Sequence, residues 1–247
     1  MPTLSIVQVL IEFCCILFTL LCLISLYIRR YMVRGYQADR ERQDALSLLL
    51  YFVALELVSD CFTYVYAGSM DPVGNVLMRV GNFFVFVFIP LISYAGSEYI
   101  IVSAGVKKDH PWAKRFRLIM RILVVLDELC VVATPFLNFI YGFDEQNNYQ
   151  RGPGFLVVAV IGMVMLFLLE CELMIFQQEV SRNDMIAMVF FIALPMVTNV
   201  IQTFYYGLAL NNLAIFIATI LVFFVYEIDV SNRIAERAAA AARQQVQ

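Results

Sequence analysis

Histidine occurs once in this chain of 247 residues, glycine 11 times, and charged residues make up only 15%. Each scarcity excludes a chemistry. With His110 as the sole imidazole, the parts for an intramembrane zinc site or a Ser–His dyad are missing. The lysines, Lys107, Lys108 and Lys114, fall in one polar stretch, so no apolar segment offers the amine that a retinal Schiff base requires. No glycine-rich phosphate loop of the P-loop type occurs. Asp60 and Asp127 lack the glycine-rich surroundings of an aspartyl intramembrane protease. These absences predict no catalytic residue, no metal site and no cofactor within the chain, and no nucleic-acid partner.

What is abundant is apolar surface. Hydrophobic residues reach 62% and mean hydropathy is +0.80, more than the core of a water-soluble domain can hide. A lipid bilayer is therefore the expected solvent and partner. Six cysteines, Cys14, Cys15, Cys22, Cys61, Cys130 and Cys171, all lie within apolar runs, which predicts no disulfide framework.

The apolar residues form seven runs: Leu4 to Ile28, Ala45 to Ala67, Val76 to Val102, Leu118 to Ile140, Phe155 to Phe176, Met185 to Tyr206 and Leu208 to Ile228. A hydrocarbon slab of about 30 Å needs on the order of 20 helical residues per crossing. The runs are continuous rather than alternating, which favours helices over a barrel. The expected fold is an all-α membrane protein, a seven-transmembrane helix bundle. The first run has no Lys or Arg before it and no small-residue cleavage pattern after it, so it is expected to remain as a helix.

Positive charge orients the bundle. Arg29, Arg30, Arg34, Arg40 and Arg42 follow the first run, and Lys107, Lys108, Lys114, Arg115 and Arg117 follow the third. The tail holds Arg233, Arg237 and Arg243, whereas the stretch from Ser69 to Asn75 has no Lys or Arg and that from Tyr141 to Gly154 has only Arg151. The N-terminus is thus expected outside and the C-terminus in the cytoplasm. The connection between the fifth and sixth runs carries only Arg182 and votes weakly.

Residues 1–228 read as a seven-helix domain, and residues 229–247, polar and helix-favouring, as a cytoplasmic linker helix leading toward an output domain. Pro90, Pro135 and Pro195 interrupt three runs and either kink their helices or shape packing. No internal repeat is evident, which argues against a transporter built from duplicated halves.

Polar residues at bilayer depth mark a candidate site. Glu56 and Asp60 share a helix face, and Arg79, at similar depth, is the expected partner of Asp60; Asn82 extends that stripe inward. Asp127 and Glu128 lie midway along the fourth run, with Asn199, Gln202 and Tyr206 on one face of the sixth. Glu12 has no evident partner and joins either acidic group. Glu170 and Glu172 point in different directions. Together the first nine predict a pocket, open outward, for a small polar or cationic ligand. The same groups equally serve to bond one another and fix helix register.

The third run lacks an Asp-Arg-Tyr ending and the seventh an Asn-Pro-x-x-Tyr motif, so an animal G-protein-coupled receptor is disfavoured. In contrast, Asn148-Tyr149-Gln150-Arg151-Gly152-Pro153-Gly154-Phe155, Pro195, Gln202 and Tyr206-Gly207 resemble the seven-transmembrane sensor region of bacterial diguanylate cyclases (GGDEF proteins) and sensor histidine kinases. The resemblance covers the second half of the chain in sequence and the first in topology. It implies a sensory module of the bacterial cytoplasmic membrane that relays an outside signal to a cytoplasmic output domain as a homodimer. Tyr149 and Arg151 would then cap the pocket or, alternatively, brace the loop. No Gly-Gly-Asp/Glu-Glu-Phe motif or phosphoacceptor histidine segment occurs within these residues. The competing reading is a small transporter or channel that uses the acids as a cation or proton path.

Overall fold

The structure is a computed structural model and describes residues 3–32, 37–107, 109–204 and 210–245. Among them are seven helices: α1 (Thr3–Met32), α2 (Gln37–Val65), α3 (Pro72–Ser103), α4 (Pro111–Leu137), α5 (Phe155–Ile175), α6 (Arg182–Phe204) and α7 (Leu210–Gln245). The segment between α4 and α5, expected as a plain loop, folds into an antiparallel hairpin of β1 (Tyr141–Phe143) and β2 (Tyr149–Arg151).

α3 and α4 begin ahead of their apolar stretches, α3 behind a polar cap. Asp71 precedes α3 and accepts from the backbone N–H groups of Val73 and Gly74, both at 3.1 Å, while Pro72 occupies the first turn where no N–H is needed. Pro111 starts α4 in the same way, and Asn138 ends it in the left-handed conformation at φ 48°. α7 runs unbroken over 36 residues.

Each helix packs on the next in sequence, and α7 returns against α1 and α2, so the bundle closes on itself with α3 also touching α5. Gly81 permits a close approach of α3 to α2. A Cβ there would lie 2.7 Å from the Ser59 carbonyl oxygen, so only glycine lets α3 rest on the α2 backbone. Leu46, Leu49, Leu50, Val53, Ile100, Met165 and Ala218 fill the interior and are each fully buried.

Six helices are long and apolar enough to cross a membrane, all but α4. The last 18 residues of α4 still contain Arg121, Asp127 and Glu128, which dilutes its hydropathy. Its outer face is nevertheless apolar: Leu118, Val125, Leu129 and Phe136 are exposed, Phe136 by 82%. Comparable apolar faces cover α1 and α5, where Leu21 and Val160 are each 61% exposed. Water would not tolerate so large an apolar exterior, whereas lipid requires it. The chain is a multi-pass, all-α membrane protein.

Candidate functional site

Beneath the hairpin, where α2 to α7 converge, lies a cavity of about 380 Å³. α2 contributes Asp60, Thr63 and Tyr64, α3 contributes Asn82, Phe86, Pro90 and Ser93, and α4 contributes Asp127. The hairpin supplies Asn148, Tyr149 and Arg151, α5 supplies Phe155 and Gly162, α6 supplies Asn199 and Gln202, and α7 supplies Asn211 and Asn212. Residues from all six helices and the hairpin thus meet at one place, carboxylates and carboxamides alternating with aromatic rings.

Asp60 does not pair with Arg79. Its Oδ2 accepts from Asn212 Nδ2 at 2.5 Å and its Oδ1 from Thr63 Oγ1 at 3.1 Å. Arg79 donates instead to Asn75 Oδ1 at 2.8 Å and stacks its guanidinium 4.4 Å from the Phe143 ring centroid. The reason is helix phase. Met78, Gly81 and Asn82 face the bundle interior, and one residue turns a helix by about 100°, which carries Arg79 to the exposed face.

Glu56 lies one turn deeper than Asp60, is fully buried and is not part of the cavity wall; neither carboxylate oxygen has a hydrogen-bond partner. Glu12 of α1 lies against Asp60 and accepts from Gln8 Nε2 at 3.0 Å. Three acids therefore stack between α1 and α2, next to the cavity but mostly behind its wall. Asp127 faces the cavity, is only 5% exposed, and has no hydrogen bond or ion pair among the described residues. Its neighbour Glu128 points elsewhere, with a buried Oε1 that lacks a partner. On α5, Glu172 is buried and Glu170 exposed, in keeping with their opposed directions. Asn199 and Gln202 reach the cavity, while Tyr206 and Gly207 lie outside the described residues.

The hairpin is held over the cavity by aromatic stacking and by Arg151. The Tyr141 ring lies 5.2 Å from Phe86 and 5.6 Å from Tyr149, centroid to centroid. Arg151 donates to the carbonyl oxygens of Thr203 at 3.0 Å and Gln202 at 2.6 Å, and its guanidinium sits 4.3 Å from the Phe155 centroid. It thereby joins β2 to the end of α6. Within the loop, Asp144 is held below the usual carboxylate range by the Asn148 backbone N–H first, then by the Asn148 side chain, the Gln146 N–H and the Gln150 side chain.

Below the cavity α3 and α6 are in close contact. Gly96 is backed directly by the Phe191 ring, with 2.6 Å between a Cβ at Gly96 and Phe191 Cε1. Under that plug, Arg42 bonds Asp184 of α6 and Asp229 of α7, and its Nε and Nη2 each donate to Tyr99 Oη of α3 at 3.2 Å. Asp39 accepts from Arg233 at 2.9 Å and Arg237 at 3.0 Å, and Arg29 pairs with Glu227. Arg42 counts in sequence as one more loop charge. Its place on the buried face was nevertheless signalled, because Asp39, Arg42 and Gln43 continue the helical spacing of Leu46, Leu49, Leu50 and Val53. Asn211 and Asn212 also went unpredicted, although two adjacent carboxamides within an apolar run were the available cue.

Among the described residues no three His, Cys, Asp or Glu side chains are grouped to hold a metal ion. The cavity suits a small molecule that needs hydrogen-bond acceptors and apolar contact. No family model, curated protein or solved structure matches the chain.

Proposed function

We propose that the chain is a membrane sensor: a small polar ligand enters the cavity from the hairpin side, and α7 relays its occupancy to an output unit across the membrane. One observation carries this reading. The same helix contributes Asn211 and Asn212 to the cavity wall and Asp229, Arg233 and Arg237 to the charged cluster at the far end. From Asn212 to Asp229 is roughly 26 Å along one continuous helix. A ligand that displaces the Asn212 contact with Asp60 biases the packing of a rod whose other end is clamped.

In this reading all seven helices cross, since α4 has 27 residues, enough for the slab, and an apolar outer face. The hairpin end lies outside, because Arg29, Arg30, Arg40, Lys107, Lys114, Arg115 and Arg117 gather at the other end. In this reading the N-terminus is outside and the C-terminus cytoplasmic, in the bacterial inner membrane that the sequence resemblance implies. Pairing as a homodimer follows from the cyclase or kinase output that the sequence resemblance implies.

The alternative, a transporter or channel for a cation, proton or small solute, draws support from Glu12, Glu56 and Asp60 stacked beside the cavity. Against it stand the Phe191 plug and the Arg42 cluster below. A ligand-independent test exists because Gly162 lines the cavity and a Cβ there meets nothing within 4 Å, so Gly162→Leu directs a side chain from open space at the wall into the cavity. In vesicles, Gly162→Leu is expected to change hydrogen exchange at the α7 amides from Asp229 to Arg237, with no solute uptake by the unsubstituted chain. Unchanged exchange there refutes the sensor, and uptake that Asp60→Asn or Asp127→Asn abolishes establishes the transporter.

A further inference from the structure

Asp127 is the cavity's unpartnered carboxyl group. It is 5% exposed, it faces the cavity, and no described side chain donates to it. The nearby cations are all engaged elsewhere: Arg79 with Asn75 and Phe143, Arg121 with Tyr94 Oη at 3.3 Å, and Arg151 with two carbonyl oxygens and the Phe155 ring. Asp60, the other carboxylate in the wall, already accepts from Asn212 and Thr63. Behind the wall stand further acids rather than bases, Glu12 beside Asp60 and Glu56 one turn below it. A carboxylate at bilayer depth without a partner is costly, so such groups mark places where a cation is received.

Building on the sensing reading of this cavity, we infer that its ligand is a small organic ammonium ion with an apolar body, for which Asp127 is the counter-ion. A bare metal ion does not fit. Hard cations demand several oxygen ligands at short range, whereas this cavity of about 380 Å³ is walled by Tyr64, Phe86, Tyr149 and Phe155 as well as by its acids. Aromatic faces attract ammonium groups and cover hydrocarbon, and the volume is in the range of small-molecule pockets. One free carboxylate asks for one positive charge.

The test uses three isosteres on the full chain in nanodiscs at neutral pH: phenethylamine, 2-phenylethanol and phenylacetate, followed by calorimetry and thermal unfolding. Phenethylamine is expected to bind about tenfold or more tightly than the alcohol, with no detectable binding of phenylacetate, because a buried opposite charge discriminates by at least that factor. Asp127→Asn, which keeps the side-chain shape, should erase the amine's advantage over the alcohol. Asp127→Glu should retain part of the preference. Equal binding of amine and alcohol, binding of phenylacetate, or an Asp127→Asn chain that still prefers the amine overturns the inference. Should Asp127→Asn fail to fold, the isostere series on the unsubstituted chain decides alone. Amine binding through Asp127 with no response in α7 would leave the ligand class standing and remove the sensor; an α7 response to Gly162→Leu without amine binding would do the reverse.

Discussion

Arg42 and Asp184, 142 positions apart in the chain, form an ion pair in which the two side chains are 4% and 2% exposed. The pair joins the start of α2 to the start of α6, and through Asp229 the same guanidinium reaches α7. Removing one member of such a pair strands the other in a poorly solvated place. Arg42→Met is therefore expected to destabilise the fold by about 3–5 kcal/mol, measured by denaturant unfolding in micelles. Arg42→Met combined with Asp184→Leu should recover part of that loss. A single substitution with no measurable effect would show that the cluster does not hold the helices together.

Asp60 should couple energetically to Asn212 and not to Arg79. Asn212→Leu removes one of the donors to Asp60, leaving Thr63 and Glu12 against it, and is expected to cost about 1–3 kcal/mol. Double-mutant cycles should give an interaction of about 0.5–3 kcal/mol for Asp60 with Asn212 and nearly zero for Asp60 with Arg79. Arg79→Ala alone, at an exposed position, should stay within about 0.5 kcal/mol of the parent.

These two sites also mark how far sequence reaches. The helices were readable because a bilayer imposes length and continuity on apolar runs, and the first two runs fall within α1 and the body of α2 with only their ends displaced. Asp60, Asn82, Asp127, Tyr149, Arg151, Asn199 and Gln202 were singled out and all meet in one cavity. Rotation of one helix against another was not readable. Whether Arg79 faces Asp60 depends on a phase of about 100° per residue, and nothing within α3 alone fixes it. Arg42 was hidden for another reason: composition groups it with the loop arginines, and only the buried spacing of α2 separates it from them.

Gly152 is where the hairpin tucks against the end of α4. A Cβ there would press on the carbonyl oxygens of Asn138 and Phe139, and the Phe139 oxygen is already held by the Gly154 N–H at 2.7 Å. Gly152→Ala is expected to cost about 1–3 kcal/mol and to loosen the Tyr149 stack over the cavity. Hydrogen exchange of the Tyr141 to Arg151 amides would report it, and unchanged protection would count against the tight fit.

Acid should undo the hairpin turn before the bundle. The Asp144 carboxyl titrates below its ordinary value of 3.8, so its stabilising effect is complete above that value and is lost as pH falls through the lower, folded one. The amides of Gln146 and Asn148, which donate to Asp144 Oδ1 at 2.9 and 2.8 Å, should lose protection in that acidic window. Asp144→Asn should remove the pH dependence. Protection that persists to the lowest pH would show that the turn is held by other contacts.

The length of α7 has a mechanical consequence. Thirty-six helical residues make a rod of about 54 Å, against a hydrocarbon thickness of about 30 Å, so roughly 24 Å projects past the slab. In the proposed relay the Arg42 cluster is the pivot of a lever: a tilt too small to disturb the core displaces the cytoplasmic end of α7 by ångströms. Amplification of that kind needs no hinge, only stiffness.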